Sequence, residues 1–516
     1  MKKKLVYIIA CVAFILLLVT SETLLAYRLI KLDMLPNIYL AIAIGFLVIF
    51  ALGVAALLLI HRKDMGVGIV RQIIAYFLTA VMIAGCLLVS PRLKELESTV
   101  KQITTNVLVT PIFNIYVEND DPAESIQDTA EYTFAALAQD EETVQKVLTA
   151  VEEEIQTTVS VRFFDDESLM ITAYYNQEVD ALILNGGYLS IWKENELYEG
   201  FGDKNRIIFS VKVDMHVEVI EIVQPEQTTP TEQPTEPEKE AEPDVTNTPF
   251  VVYISGMDGY SQNLTTTRSD VNILMVVNPV TKQVLMVNTP RDYYIVHPWG
   301  SGTRDKLTHC GIYGIECSVD ALENLYNLPV DYYVQINYKG FENLIDAIGG
   351  VSVYSDFAFI CGDLEDVYIP QGNSTLNGRE ALAFARDRKH QPNGDNDRGK
   401  NQMKVIKAVI AKVTSGRTWI SNYSEILKSL EGMFATNMPS EDLSSLVKMQ
   451  LTDMAQWNVM TYAVTGYDAN KTTYSMPGTA CYVMQPNQKS VDYAQELIQR
   501  VVNGEILTQE DMVMPK

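Results

Sequence analysis

Three long apolar runs crowd the first 90 residues, and they constrain the chain more than anything that follows. They are Leu5 to about Ala26, Ile38 to Ile60 and Ile69 to Val89, and the second and third carry no charge except Arg71. A helix rises about 1.5 Å per residue, so runs of this length can cross a hydrocarbon layer of about 30 Å. The first, behind Lys2, Lys3 and Lys4, also reads as a signal peptide. No convincing small-residue cleavage site follows it and two further spans do, which favours an uncleaved helix. Lys2 to Lys4 and the Arg62, Lys63, Arg71 cluster belong on the cytoplasmic side, so the third helix leads outward. Arg28 and Lys31 in the outer loop weaken that orientation without reversing it. The expectation is a multi-pass anchor over 1–92 in the cell membrane, with a cytoplasmic N-terminus and an extracellular remainder.

That placement puts Cys310, Cys317, Cys361 and Cys481 in an oxidising compartment. Four cysteines allow three pairings, and the sequence does not choose among them. Their spacing fits zinc poorly. Cys11 and Cys86 lie inside spans and read as apolar fillers. The chain carries a net charge of -25, which argues against a nucleic-acid partner, and the cytoplasm would hold only short tails and loops.

Residues 100–222 mix helical and strand patterns. Ile126–Leu137 and Glu141–Ile155 show helical spacing, while Val159–Phe164, Ala181–Leu184 and Ile207–Val213 read as strands. The run from Tyr174 to Asn185 resembles the part of periplasmic solute-binding proteins where a helix leads into a buried strand. A small accessory α/β domain follows, read as a spacer or oligomerisation module ahead of a ligand sensor. Residues 224–248 are rich in Pro, Thr and Glu, with Lys239 as the sole base. Such a segment cannot offset its ordering entropy and reads as a disordered, self-repelling linker.

From Pro249 onward the pattern becomes compact α/β. Phe250–Ser255, Val271–Asn278, Val284–Thr289, Tyr332–Ile336 and Val351–Tyr354 read as strands. Val319–Tyr326, Phe341–Ile348, Gly378–Ala385 and Gln402–Val413 read as helices. This mixture argues for a sheet covered on both faces. The turn Asn278-Pro-Val-Thr-Lys-Gln predicts a hairpin, which brings Arg268 and Asp270 to the same sheet edge as Arg291 and Asp292. If the first strand runs parallel to the third, Asp258 arrives there too. A second cluster holds Arg386, Arg388, Asp395, Arg398 and Lys400. Guanidinium groups bind phosphate oxygens in bidentate pairs, and carboxylates can hold Mg²⁺ against them. The competing reading is a solvated network of ion pairs, each worth about 0–1 kcal/mol.

At these residues the chain resembles the LytR-CpsA-Psr family of cell-envelope glycopolymer phosphotransferases. The blocks are Gly256-Met-Asp258, Arg268-Ser-Asp270, Pro290-Arg-Asp292, Lys306-Leu-Thr-His309, Asp346-Ala-Ile-Gly-Gly-Val351, Leu376-Asn-Gly378, Ala385-Arg-Asp-Arg388 and Asp395-Asn-Asp-Arg398. The resemblance implies a catalytic α/β/α sandwich with a mixed central sheet over 249–415, and a C-terminal extension over 416–505 packed on it. It implies transfer of a glycan phosphate, such as teichoic acid or capsule, from a polyprenyl-pyrophosphate carrier to peptidoglycan. Asp258 and Asp270 would hold Mg²⁺ or Mn²⁺. Arg268, Arg291, Arg386, Arg388 and Arg398 would clamp the pyrophosphate, and Asp395 would assist proton removal. A lipid-phosphate-binding sensor, scaffold or attenuator is the alternative. The carrier's tail calls for an apolar pocket, with Ile336, Phe341, Leu344, Ile345, Phe359, Leu382, Val405 and Val409 as its candidate walls. Gly399, Lys400 and Asn401 stand where many members carry a second arginine, so one phosphate contact is absent or passes to Lys400. His309 and His390 read as structural, Asp292 as a support for Arg291, and Gly349-Gly350 as a tight turn.

Overall fold

A computed structural model describes residues 2–59, 65–104, 110–193, 198, 200–213, 244–362, 364, 366–415 and 426–515. The Pro/Thr/Glu segment up to residue 243, the basic residues Arg62 and Lys63, and the expected boundary at 416 lie outside them.

Helices α1 (Lys2–Leu32), α2 (Asn37–Leu59) and α3 (Met65–Thr104) pack side by side, and each is long and apolar enough to cross a membrane. Their apolar side chains face outward, as at Ile49, Leu52 and Phe77. This inverts the pattern of a soluble core and fits a membrane-anchored protein. The anchor does not stop at residue 92, because α3 continues through Pro91 to Thr104. Past Val89 the uniform apolar run gives way to Leu93, Leu96, Val100 and Ile103 at helical spacing, so hydropathy ends before the helix does. Leu96, Val100 and Ile103 pack with Met34 and Leu427. Glu97 binds Lys31 at 2.7 Å, tying this stalk to the end of α1.

The accessory module contains β1 (Ile112–Glu118), β2 (Thr133–Leu137), α4 (Glu141–Ile155), β3 (Ser160–Phe164), α5 (Glu167–Tyr175), β4 (Ala181–Asn185), the short α6 (Tyr188–Trp192) and α7 (Phe201–Lys204), and β5 (Asn205–Lys212). Its sheet order is β3-β2-β4-β1-β5, with β2 parallel to β3 and β4 and β1 antiparallel to β4 and β5. The expected helix over 126–137 is corrected: Ile126–Thr129 is a single 3₁₀ turn, and Thr133–Leu137 is a central strand. Phe134 to Leu137 are all buried. A parallel strand covered on both faces shows no alternation, and its apolar run is easily read as helical.

The C-terminal ends of β2 and β4 are where open α/β sheets usually take ligands. Here they dock on the second body. Asn185 Nδ2 donates to the Ile312 carbonyl at 2.9 Å, and the Tyr188 and Tyr313 hydroxyls meet at 3.1 Å. Asp140 sits in this junction, and burial raises its carboxyl to about 7, partly opposed by a hydrogen bond from Tyr188. Below about pH 4 the group is protonated whether the chain is folded or not, so it costs nothing. As pH rises the unfolded chain ionises first, and the penalty grows until about pH 7 and then stays constant. Asp140→Asn is therefore expected to raise the melting temperature at pH 8 by several degrees and leave it nearly unchanged at pH 4. Thermal unfolding of the detergent-solubilised chain at the two pH values checks this.

The second body is built on β6 (Phe250–Met257), β7 (Ser269–Asn278) and β8 (Gln283–Asn288). Next come the small β9 (Tyr294–Val296) and β10 (Arg304–Lys306), α8 (Leu307–Tyr313), α9 (Ile315–Tyr326), β11 (Tyr332–Asn337) and α10 (Tyr338–Ala347). The ribbons β12 (Val351–Ser355), β13 (Phe359–Ile360), β14 (Tyr368–Ile369) and β15 (Gly372–Leu376) precede α11 (Gly378–Arg386) and α12 (Asp395–Ser415). The chain closes with β16 (Phe434–Thr436), α13 (Ser440–Asp453), β17 (Asn458–Ala463), the hairpin β18 (Gly466–Lys471) and β19 (Cys481–Pro486), and α14 (Gln488–Val502).

The central sheet runs β16-β11-β6-β7-β8-β17 and is mixed: β11 is parallel to β6, β17 is parallel to β8, and the other pairs are antiparallel. Alternate residues serve two cores. Val251, Tyr253 and Leu285 pack against α8, α9 and α14, while Phe250, Val252 and Met286 pack against α12 and α13. The result is an α/β/α sandwich. The C-terminal segment does more than pack on it, since β16 and β17 are the two edge strands of the same sheet. A third core, formed by α10, α11, α12 and the β12/β15 ribbon, leans over one end of the sheet. Gly349 and Gly350 lead into β12 at φ +78° and +76°, the left-handed turn expected of them.

Candidate functional site

The β7–β8 hairpin forms at the expected turn and brings its two ends to one edge of the sheet. Beyond a bulge at Gly256/Met257, the Asp258 amide donates to the Arg268 carbonyl at 3.1 Å. Arg268 Nη2 then meets Asp258 Oδ2 at 2.8 Å. Arg291, just past β8, reaches back to Asp270 at the start of β7, with Nη1 2.9 Å from Oδ1. Asn337 caps α10 by accepting the Gly340 amide, which fixes the first helical residue, Tyr338, at the same edge. The Tyr338 hydroxyl donates to Asp270 Oδ2 at 3.2 Å, and the Arg386 guanidinium lies 4.3 Å from its ring centre. Arg386 ends α11, and Arg398 sits in the first turn of α12, paired with Asp395.

Burial alone would raise the Asp270 carboxyl, but Arg291, Arg268 and Arg398 outweigh it and hold it well below the usual carboxylate range. Asp270 therefore stays ionised at every physiological pH. Burial, then the fields of Asp270 and Asp258, push the Tyr338 phenol well above its usual value, so it acts as a donor.

A cavity of about 320 Å³ lies between the sheet and the third core, and Asp258, Arg268, Asp270, Arg291, Arg386, Arg388 and Arg398 all line it. Ile254, Val334, Ile336, Phe341, Leu344 and Leu382 are among its apolar walls. One helix carries both ends of this gradient: Arg398, Gln402, Ile406 and Val409 follow each other at helical spacing along the lining face of α12. Five guanidinium groups against two carboxylates leave an excess of positive charge at one end and a greasy wall at the other.

Of the residues expected as pocket walls, Ile336, Phe341, Leu344, Leu382 and Val409 line the cavity. Ile345, Val405 and Phe359 do not, because their side chains turn into the third core. On α12 one residue is a rotation of about 100°, enough to exchange Val405 for Ile406. Asp395 stands beside the cavity as the partner of Arg398 rather than on its wall. Sequence reasoning missed Tyr338 and Gln402, since a tyrosine after a strand and a glutamine inside a helix carry no chemical signature alone. The Lys400 alternative is corrected: its ammonium pairs with Asp397 at 2.8 Å and does not line the cavity. Gly399 packs directly under the Asn288 amide, so an arginine there would collide with β8.

Asp292 meets Arg291 Nε at 3.7 Å and Lys306 Nζ at 3.0 Å, the supporting position expected of it. His309 and His390 bind Asp305 and Asp387 through Nδ1 at 2.6 and 2.9 Å, and neither lines the cavity. All six cysteines carry free thiols. Cys310 and Cys317 gather with His297, their ligand atoms mutually within 4.8 Å. Three donors are one fewer than a structural zinc site uses. The Asp258 and Asp270 carboxylates are another matter. They offer hard oxygen donors of the kind that hold a small divalent cation such as Mg²⁺, and each also pairs with an arginine.

Fold and site together define a membrane-anchored α/β protein with an arginine-rich pocket that continues into an apolar cavity. The sequence model of the LytR_cpsA_psr family matches residues 218–496, and the chain belongs to that family. It is 37% identical over 196 residues to a polyisoprenyl-teichoic acid–peptidoglycan teichoic acid transferase TagU of Bacillus licheniformis, covering 38% of this chain and 62% of the relative. A TagU of the same description from Enterococcus faecalis is 36% identical over 200 residues, covering 38% of this chain and 64% of that one. The match thus spans somewhat under two thirds of these relatives. Among solved structures, TagT bound to LIIa-WTA aligns over 51% of this chain and 95% of its own, at 27% identity and a TM-score of 0.43.

Proposed function

We propose that the chain transfers a phosphate-linked glycopolymer from an isoprenoid pyrophosphate carrier to peptidoglycan on the outer face of the cytoplasmic membrane. One observation carries the reading: five arginines and two carboxylates, from distant parts of the chain, line the polar end of a cavity whose other walls are apolar. That gradient suits an amphiphile with a doubly charged head. Teichoic acid is the cargo suggested by the named activity of the TagU relatives.

In this reading Arg268, Arg291, Arg386, Arg388 and Arg398 hold the two phosphates, and the isoprenoid tail lies along Phe341, Leu344, Leu382 and Val409. Asp258 and Asp270 would hold Mg²⁺ or Mn²⁺, which when bound polarises a phosphate oxygen. An acceptor sugar hydroxyl attacks the glycan-linked phosphorus, its proton passes to Asp395, and the bond to the departing polyprenyl phosphate breaks. Arg268, Arg291, Arg398 and Arg386 are fixed before reaction by Asp258, Asp270, Asp395 and the Tyr338 ring in turn. Pre-set charge of this kind is usually the largest catalytic contribution in phosphoryl transfer.

The test uses the purified full chain in detergent, an isoprenoid-pyrophosphate glycan donor and a peptidoglycan oligosaccharide. Several products per protein molecule are expected. Chelation with EDTA should slow turnover at least about tenfold, with recovery on adding Mg²⁺ or Mn²⁺. Stoichiometric donor binding with no product would instead assign the chain to a lipid-phosphate sensor.

A further inference from the structure

The β18–β19 hairpin stands against the catalytic edge. Its Met484 amide donates to the Asp292 carbonyl at 2.7 Å, one residue from Arg291, and Met484 also pairs with Tyr293. Opposite residues in the hairpin are Asp468 with Met484 and Asn470 with Tyr482, so these four share one face. Met484 is buried at the base of that face, while Asp468, Asn470 and Tyr482 are exposed, Tyr482 by 41%. The Tyr482 hydroxyl donates to Asp468 Oδ1 at 2.8 Å, so the ring and the carboxylate lie side by side on this face. The ring lies close enough to the reacting edge for Asp292 and Asp395 to act on its phenol, which burial and Asp468 already raise.

This face differs in chemistry from the cavity. It carries no basic side chain, since the hairpin's one lysine, Lys471, pairs with Cys481 on the opposite face. It therefore does not suit the anionic donor. An exposed aromatic ring flanked by a carboxylate and an amide suits a neutral, hydroxyl-rich sugar: the pyranose C–H face stacks on the ring, and its hydroxyls bond to the acid and amide.

We propose that the face formed by Tyr482, Asp468 and Asn470 is the acceptor subsite, where a glycan strand lies across Tyr482 and presents its hydroxyl toward Asp395. The proposal rests on the transfer reading and adds the place where the second substrate binds. Tyr482 acts by binding, not by chemistry.

The experiment measures transfer to a peptide-free peptidoglycan oligosaccharide with full-length Tyr482→Ala and Tyr482→Phe proteins, alongside calorimetric titration of the same oligosaccharide without donor. Tyr482→Ala should raise KM for the oligosaccharide about tenfold and weaken its titrated affinity equally, with kcat and donor KM unchanged. Tyr482→Phe keeps the ring and should stay within about twofold of wild type. Because the side chain is exposed, neither change removes core packing. An unaltered acceptor KM in Tyr482→Ala overturns the proposal. If the wild type makes no product at all, the transfer reading fails and the titration decides alone: affinity lost with the ring supports the sugar platform, and no affinity, or affinity indifferent to Tyr482, overturns it.

Discussion

Arg291→Ala is expected to lower glycopolymer transfer by about a hundredfold to a thousandfold while the protein still folds and inserts. The guanidinium is 4% exposed and contacts Asp270 at 2.9 Å, so it acts in a site largely screened from water. Losing one fixed group of this kind from a charged transition state costs about 3–4 kcal/mol, or two to three powers of ten. Its loss also removes the strongest attraction holding Asp270 ionised. Stripping one partner from a buried pair can cost about 3–5 kcal/mol of stability. Here Arg268 and Arg398 also act on Asp270, so the cost should fall at the low end and leave the fold intact. Arg291→Lys keeps the charge without the two-pronged geometry and should recover stability but little activity. Donor turnover and thermal unfolding, measured on both variants, separate the two effects. Wild-type turnover in Arg291→Ala would remove this residue from the phosphate clamp.

The second large effect concerns the tail. Val409 lies on the lining face of α12, where the walls are apolar. Val409→Trp places a bulky ring in space that already exists, so the fold should tolerate it. Each methylene denied burial costs the donor about 0.8 kcal/mol, and displacing the equivalent of four lowers its affinity about two hundredfold. Inorganic pyrophosphate, which needs only the arginines, should bind as before. A competition assay with a long-chain donor and pyrophosphate reads both. Equal weakening of the two ligands would mean that the ring had distorted the site, and no weakening of either would place the tail elsewhere.

Much of the site was legible because its chemistry is carried by residue types that are costly to bury without a partner. Five arginines and two aspartates stood out in short blocks, and the turn at 278–283 was enough to bring Arg268 and Asp270 to Arg291. The structure gathers all seven on one cavity. Legibility failed where the decision was between equivalent apolar side chains. Val405 and Ile406 have the same chemistry, and only the position of α12 against α10 and α11 sends one inward and the other to the cavity. Tyr338 was invisible for a related reason: its role depends on two partners, Asp270 and Arg386, that lie far away in sequence. In the accessory module a strand buried on both faces lost its alternation and passed for a helix.

By itself, then, the sequence determined the three spans, the two-faced sheet and the identity of the charged residues, because hydropathy, turn residues and charge act locally. Tertiary structure alone decided which walls face the cavity and that β16 and β17 complete the central sheet. It also placed the strand ends of the accessory module against the second body and set the β18–β19 hairpin beside Asp292. Those outcomes depend on contacts between segments tens to hundreds of residues apart, and no periodicity in the chain encodes which distant surface an apolar face will meet.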